Sequence, residues 1–274
     1  MFSTLQKVSI LAKGRYSEIY KFLDTTSTDL FVIKKHPKVI GGSLKECNVR
    51  ELEVYNRIYT DKMFTHKNII KFYGYVEDED DGYFKLEYVN GYDLNRIINE
   101  SKTNKIEKYI SKEKIINYIV QVIDGLEFLH SKGVYHCDVK PENILIYKDS
   151  VKIVDFGSSI ISDKKVINIK DDDFIGTPGY LPQEVADFTY KGDINLEYVD
   201  IFGLGCTLYF CLTKKIPFAG ELRCIISNNV KNMNVDLFLV EDEEMRNIVR
   251  KIFFNKEKSN LGDIKRALLS VRNV

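Results

Sequence analysis

At 274 residues with 44% hydrophobic side chains, the chain has the length of one large or two small domains and enough apolar material for a sizeable core, which excludes a largely disordered chain. Lysine plus arginine and aspartate plus glutamate each total 40, so there is no basic field of the kind that holds nucleic acid or an anionic membrane nonspecifically. The 5 cysteines are odd in number and lack CxxC spacing, which argues against a disulfide framework or a zinc site and predicts a reducing intracellular compartment, cytoplasmic or nuclear.

The first residues read as too polar for a signal h-region, and no run comes near the roughly 18 apolar residues of a membrane span, so no span is expected. Short β-rich runs are predicted at 7–11, 19–23, 30–34, 69–76 and 83–88. One helix interrupts them, with Ser43-Leu44-Lys45-Glu46 as a capping box at its start and Cys47, Glu51, Tyr55 and Ile58 on one face. The acidic run 77–81 before Gly82 reads as a solvated turn. After Gly91 the pattern becomes helical, with Ile115, Ile119, Val122, Leu126 and Leu129 at helical spacing behind a Ser111 cap and a stop near Gly133. Two apolar strands follow at 144–147 and 151–154, joined by a turn at 148–150, and loop and helix fill the rest. With no internal repeat and no Pro-rich linker, the two halves are expected to form one unit with a cleft between a β-rich and a helical part.

The residues that carry chemistry sit around the strand pair that follows the long helix. Asp138, Lys140 and Asn143 lie on a loop between the long helix and the strand pair, and Asp155-Phe156-Gly157 ends the second of those strands. A Lys in a strand (Phe31-Val32-Ile33-Lys34), a Glu in the next helix (Glu51), the Asp138-Val139-Lys140-Pro141-Glu142-Asn143 loop and the Asp-Phe-Gly occur in one order. By these motifs the chain resembles the eukaryotic-type protein kinase family over nearly its whole length.

That resemblance implies an α+β, bilobal kinase-like fold in a single domain 1–274, with an N-lobe 1–86, a hinge 87–91 and a C-lobe 92–274. It implies ATP and Mg²⁺ as cofactors and protein hydroxyls as acceptors. Asp138 would accept or orient the substrate hydroxyl proton, and Lys140 would neutralise the transferring phosphate and points to serine or threonine. Asn143 and Asp155 would be the metal ligands, since two oxygen ligands with ATP phosphates suit magnesium. Lys34 would touch the α and β phosphates and pair with Glu51. Ala12, Gly14 and Ser17 fall in the phosphate-covering loop, and Ile19, Val32 and Leu145 would sandwich the adenine. Leu86 would be the gatekeeper, the backbone of Glu87 and Val89 would hold adenine, and Asp93 would reach the ribose. Tyr55, Phe72, His136 and Phe156 would stack in a column rooted on Asp200.

Three departures from the family pattern carry expectations of their own. The covering loop Ala12-Lys13-Gly14-Arg15-Tyr16-Ser17 keeps only the middle glycine, which restricts close approach to phosphate. Cys137 stands where many kinases carry an arginine that clamps a phosphorylated activation loop, and Asp173 stands at the phosphate-acceptor place, so dependence on that phosphorylation is not expected. Glu184 of Pro182-Gln183-Glu184 is expected to have lost its late C-lobe partner, Ser259 being nearest in register. Glu142 and Asp93, with Phe174, suggest a basophilic preference of the form Arg-x-x-Ser/Thr-hydrophobic. Segments 71–75 and 176–182 are similar to Aurora and checkpoint kinases and 173–177 to phosphoinositide-dependent kinase, which leaves the subfamily open. A pseudokinase that binds without turnover is the rival from another class.

Overall fold

The computed structural model describes residues 4–14, 17–40, 43–44, 46–59, 66–100, 110–169, 176–186, 191–256 and 259–272. Its first half is an antiparallel sheet of β1 (Leu5–Lys13), β2 (Glu18–Asp24), β3 (Leu30–Pro37), β6 (Phe72–Glu77) and β7 (Asp81–Glu87) in the order β1-β2-β3-β7-β6. The short ladder of β4 (Val39–Ile40) with β5 (Ser43–Leu44) and the helix α1 (Glu46–Ile58) lie between β3 and β6 in sequence. Strand β7 shows why this sequence makes a sheet: Gly82, Phe84 and Leu86 are buried and the residues between them are less so, a strict period of two. Directly paired residues point to the same face, so the register Ala12↔Ile19, Ile19↔Lys34 and Lys34↔Phe84 lines up one row across four strands.

The capping-box reading is corrected here: Ser43 and Leu44 pair with Ile40 and Val39, and the helix begins at Glu46. The ladder takes the backbone groups that a cap at Ser43 would have needed. The expected face survives, with Glu51, Tyr55 and Ile58 buried; the Cys47 side chain lies outside the described residues.

The second half is mainly helical. Helix α2 (Leu94–Glu100) follows β8 (Tyr92–Asp93), and α3 (Lys112–Ser131) begins at Ser111, whose hydroxyl accepts from Lys114 N at 3.3 Å. Helix α3 ends before Gly133, where φ of +67° favours glycine. Strand β9 (Val134–Tyr135), a single 3₁₀ turn (Pro141–Asn143), β10 (Ile144–Tyr147), β11 (Ser150–Ile153) and β12 (Ile160–Ile161) then form two small sheets, β11-β10-β8 and β12-β9. After β13 (Val166–Ile169), α4 (Gln183–Ala186) and β14 (Gly192–Asn195) comes α5 (Leu196–Thr213), and α6 (Arg223–Lys231), α7 (Glu243–Phe254) and α8 (Leu261–Arg272) complete the lobe.

Helix α5 is the one described helix long and apolar enough to cross a membrane by length and composition, and it sits inside the lobe. Of its 18 residues, 83% are buried among α3, α7 and β9. It is buried on all sides because it is the centre of the lobe rather than its surface.

Candidate active site

The chemistry-bearing loop is built around α5. Asp200, fully buried on that helix, accepts from the amides of His136 (2.9 Å) and Cys137 (2.7 Å) and touches His130 Nε2 at 2.7 Å. These bonds hold Cys137 at φ +60°, a left-handed conformation that costs a non-glycine residue about 1–3 kcal/mol. Gly203, one turn further along α5, has no room for a side chain, since a Cβ there would sit 2.7 Å from the carbonyl of Val139. The loop therefore lies directly on the helix backbone.

From that base the side chains converge on Asp138. Its Oδ2 accepts from Lys140 Nζ at 2.7 Å and Asn143 Nδ2 at 3.0 Å, and its Oδ1 accepts from the amide of Thr177 at 2.9 Å. Lys140 Nζ also donates to Thr177 Oγ1 at 2.5 Å. Thr177 is the site residue that sequence reasoning passed over: the Gly176-Thr177-Pro178 motif was visible, but nothing local says that its threonine faces Asp138 and Lys140.

Asp155 is brought beside Asn143 by the backbone, because Val154 N donates to the Asn143 carbonyl at 3.0 Å. The amide nitrogen of Asn143 is spent on Asp138, which leaves its side-chain oxygen as the atom able to accept a cation. Together with the Asp155 carboxylate this makes a hard, all-oxygen donor pair that fits a magnesium ion shared with phosphate. The Lys34 ammonium beside Asp155 holds its carboxyl well below the usual carboxylate range.

Across the cleft, Lys34 Nζ donates to both oxygens of Glu51 at 2.9 Å and to Asp155 Oδ1 at 2.7 Å. Burial alone would lower the lysine's proton affinity, and the two carboxylates override it and leave the group charged above its ordinary range. Burial raises the Glu51 carboxyl, and Lys34 opposes that rise. Both residues are buried, so neither is an exposed surface charge.

The remaining expected residues fall around this centre. Ile19 and Val32 lie on the Lys34 face of β2 and β3, and Leu145 on β10 is in register with Asp93 on β8. Asp93 also caps α2, its Oδ1 accepting from Arg96 N at 2.8 Å. Leu86 packs between Val32 and Phe72 in the sheet register. Glu87 ends β7, its side chain bound to Lys152 Nζ at 2.9 Å and to the amide of Lys71 at 3.1 Å; Val89 follows, partly buried against the core. In the covering loop Gly14 N donates to Ser17 O at 2.8 Å and Lys13 pairs with Glu18 at 2.9 Å, closing a hairpin whose Arg15 and Tyr16 lie outside the described residues. Ala12 pairs with Ile19 at its base.

The aromatic column is continuous. Tyr55 stacks on Phe72 at 4.5 Å and meets Phe156 edge-on at 5.4 Å, Phe156 meets His136 at 5.4 Å, and the His136 amide reaches Asp200. His136 is thus a packed, structural histidine. Cys137 is buried, and burial holds its thiol neutral well above the ordinary range. Asp173 and Phe174 lie outside the described residues.

The expectation about Glu184 is corrected. Its Oε1 is paired with Lys256 Nζ at 2.5 Å, so the late C-lobe partner exists as a lysine slightly upstream of Ser259.

The family described as Protein kinase domain matches residues 5–271. The human "Myosin light chain kinase family member 4" is 31% identical over 252 residues, which is 90% of this chain and 59% of that protein. "CBL-interacting protein kinase 2" of Oryza sativa subsp. japonica is 32% identical over 214 residues (76% and 44%), and "Aurora kinase" of Yarrowia lipolytica is 28% identical over 211 residues (76% and 52%). The chain spans about half the length of these curated relatives. With a β-rich first lobe, a helical second lobe and the expected residues gathered between them, the chain belongs to the protein kinase domain family and is of the eukaryotic type.

Proposed function

We propose that the chain is a serine/threonine protein kinase that transfers the γ-phosphate of ATP to protein hydroxyls with Mg²⁺ as the metal. The observation that carries this reading is the convergence of Lys140, Asn143 and Thr177 on the Asp138 carboxylate, with Asp155 beside Asn143 and the buried Lys34–Glu51 pair across the cleft. Asn143 Oδ1 and Asp155 would hold the metal, which supplies charge neutralisation at the transferring phosphate when bound. Asp138 takes the proton of the acceptor hydroxyl and aims its oxygen. Lys140, held between Asp138 and Thr177, places its charge where phosphate charge develops. Lys34, fixed by Glu51, orients the α and β phosphates, while Ile19, Val32 and Leu145 hold the adenine, the backbone of Glu87 and Val89 its edge, and Asp93 the ribose.

Two finer points belong to this reading. Activity does not depend on phosphorylation of the activation segment, because the buried neutral Cys137 supplies no charge to clamp a phosphate. Substrates are basophilic, supported by the exposed Glu142 and the partly exposed Asp93 at the cleft edge. A positional peptide library tests the second point: selection of arginine upstream of the acceptor is expected, and selection of proline or acidic residues contradicts it. The pseudokinase reading rests on the covering loop, where Ala12 and Ser17 replace glycines. Measuring ATP turnover with Mg²⁺ beside an Asp138→Asn control separates the two.

A further inference from the structure

The Lys34–Glu51 pair has a second neighbour able to carry positive charge. His36 lies two residues after Lys34 on β3 and so on the same face of the strand. It is 5% exposed, and its Nε2 lies 3.5 Å from Glu51 Oε2, a charge contact rather than a hydrogen bond, on the oxygen that accepts from Lys34 at 2.9 Å. Its ring meets Phe84 of β7 edge-on at 5.6 Å, and its partner in the strand register is Gly82, over which the Tyr75 phenol of β6 lies.

A buried position on a strand beneath a helix suits an aliphatic side chain, and an imidazole there costs desolvation unless its polar atoms are used. The groups around it define that use. From α1 come Glu51 and, one turn on, the Tyr55 phenol, which burial and the nearby Glu51 keep neutral. From β3 comes Lys34, from β7 the Phe84 ring, and from the Asp-Phe-Gly turn Asp155, with the Phe156 amide bonded to Glu51. Among the described residues, the fixed charges in this set are one cation, Lys34, and two anions, Glu51 and Asp155.

We propose that His36 is a positioning residue of the phosphoryl-transfer site, holding Glu51 through Oε2 so that Lys34 stays aimed into the cleft, and that protonation of His36 tightens this hold. The proposal rests on the reading of Lys34 as the lysine that contacts phosphate. A second positive charge offsets the excess anion and gives Glu51 a partner of its own when Lys34 turns to a nucleotide. An imidazole gains that charge as pH falls, so the advantage of His36 over an apolar side chain grows on the acid side.

The test compares the full chain with His36→Leu and His36→Gln, measuring Mg·ATP affinity by titration calorimetry, kinase turnover, and melting temperature, at about pH 6 and about pH 8. His36→Leu is expected to weaken Mg·ATP binding roughly five- to tenfold at the lower pH and by a clearly smaller factor at the higher pH, the range of one modest polar contact. Its melting temperature is not lowered, because the replacement is apolar and buried. His36→Gln is expected to restore binding at the higher pH and to lose the pH dependence. Wild-type affinity in His36→Leu at both pH values, an equal loss at both, or parallel losses of binding and melting temperature in both variants would overturn the proposal. Absence of turnover in the unmodified chain counts against the catalytic reading alone, since the affinity comparison still decides the role of His36.

Discussion

Asp138 is the residue on which the chemistry turns, and its surroundings say what a substitution does. Both of its oxygens are engaged by groups that Asn can still accommodate in shape, so Asp138→Asn should keep the fold while removing the proton acceptor. Turnover is expected to fall by about 10²–10⁴-fold, with Mg·ATP affinity little changed; steady-state kinetics beside a binding titration check both. Lys34 behaves differently because it is structural as well. Replacing it with Met leaves Glu51 buried and uncompensated, and a denaturant titration is expected to show a loss of about 3–5 kcal/mol. Asp155 adds a pH signature. Its carboxyl is lowered by Lys34, so its contribution to stability is present above the ordinary carboxylate pKa of about 4 and is lost as pH falls further; Asp155→Asn should flatten that acid limb in thermal melts. At this scale the sequence was highly legible, because residue types and order named these positions. Thr177 and His36 were not legible: each acts through a neighbour distant in sequence, Thr177 through Asp138 and His36 through Glu51.

Among elements, α5 does most to place the site. Asp200 and Gly203 on this one helix fix the loop that carries Asp138. Asp200→Ala leaves two buried amides without acceptors and is expected to destabilise the chain by about 2–6 kcal/mol, measurable in chemical denaturation. The Glu184–Lys256 pair is different in kind, since both side chains are partly exposed. Lys256→Ala should cost no more than about 1 kcal/mol and leave turnover unchanged. Periodicity found the long elements, such as α3 behind its Ser111 cap and the strand pair at β10 and β11. It missed β8, β9 and β12, whose two residues each are too few for a pattern and pair only because the fold brings distant segments together. It also placed a cap at Ser43, where cross-strand pairing with Ile40 wins over local capping.

For the whole molecule, two connected systems that join the lobes run through the site: the polar bridge from Lys34 to Glu51 and Asp155, and the apolar column from Phe72 through Tyr55 and Phe156 to His136. Both stand assembled with a neutral Cys137 at the base, which is the physical ground for expecting activity without a phosphorylated activation segment. Phosphatase treatment of purified protein should leave its specific activity unchanged, and loss of activity would contradict that expectation. The most direct measurement of the central claim is ATP turnover with Mg²⁺ and protein acceptors for the unmodified chain and Asp138→Asn side by side. The account predicts phosphoserine or phosphothreonine formed by the first and almost none by the second; equal, background-level rates from both would contradict it and leave a binding protein built on a kinase fold.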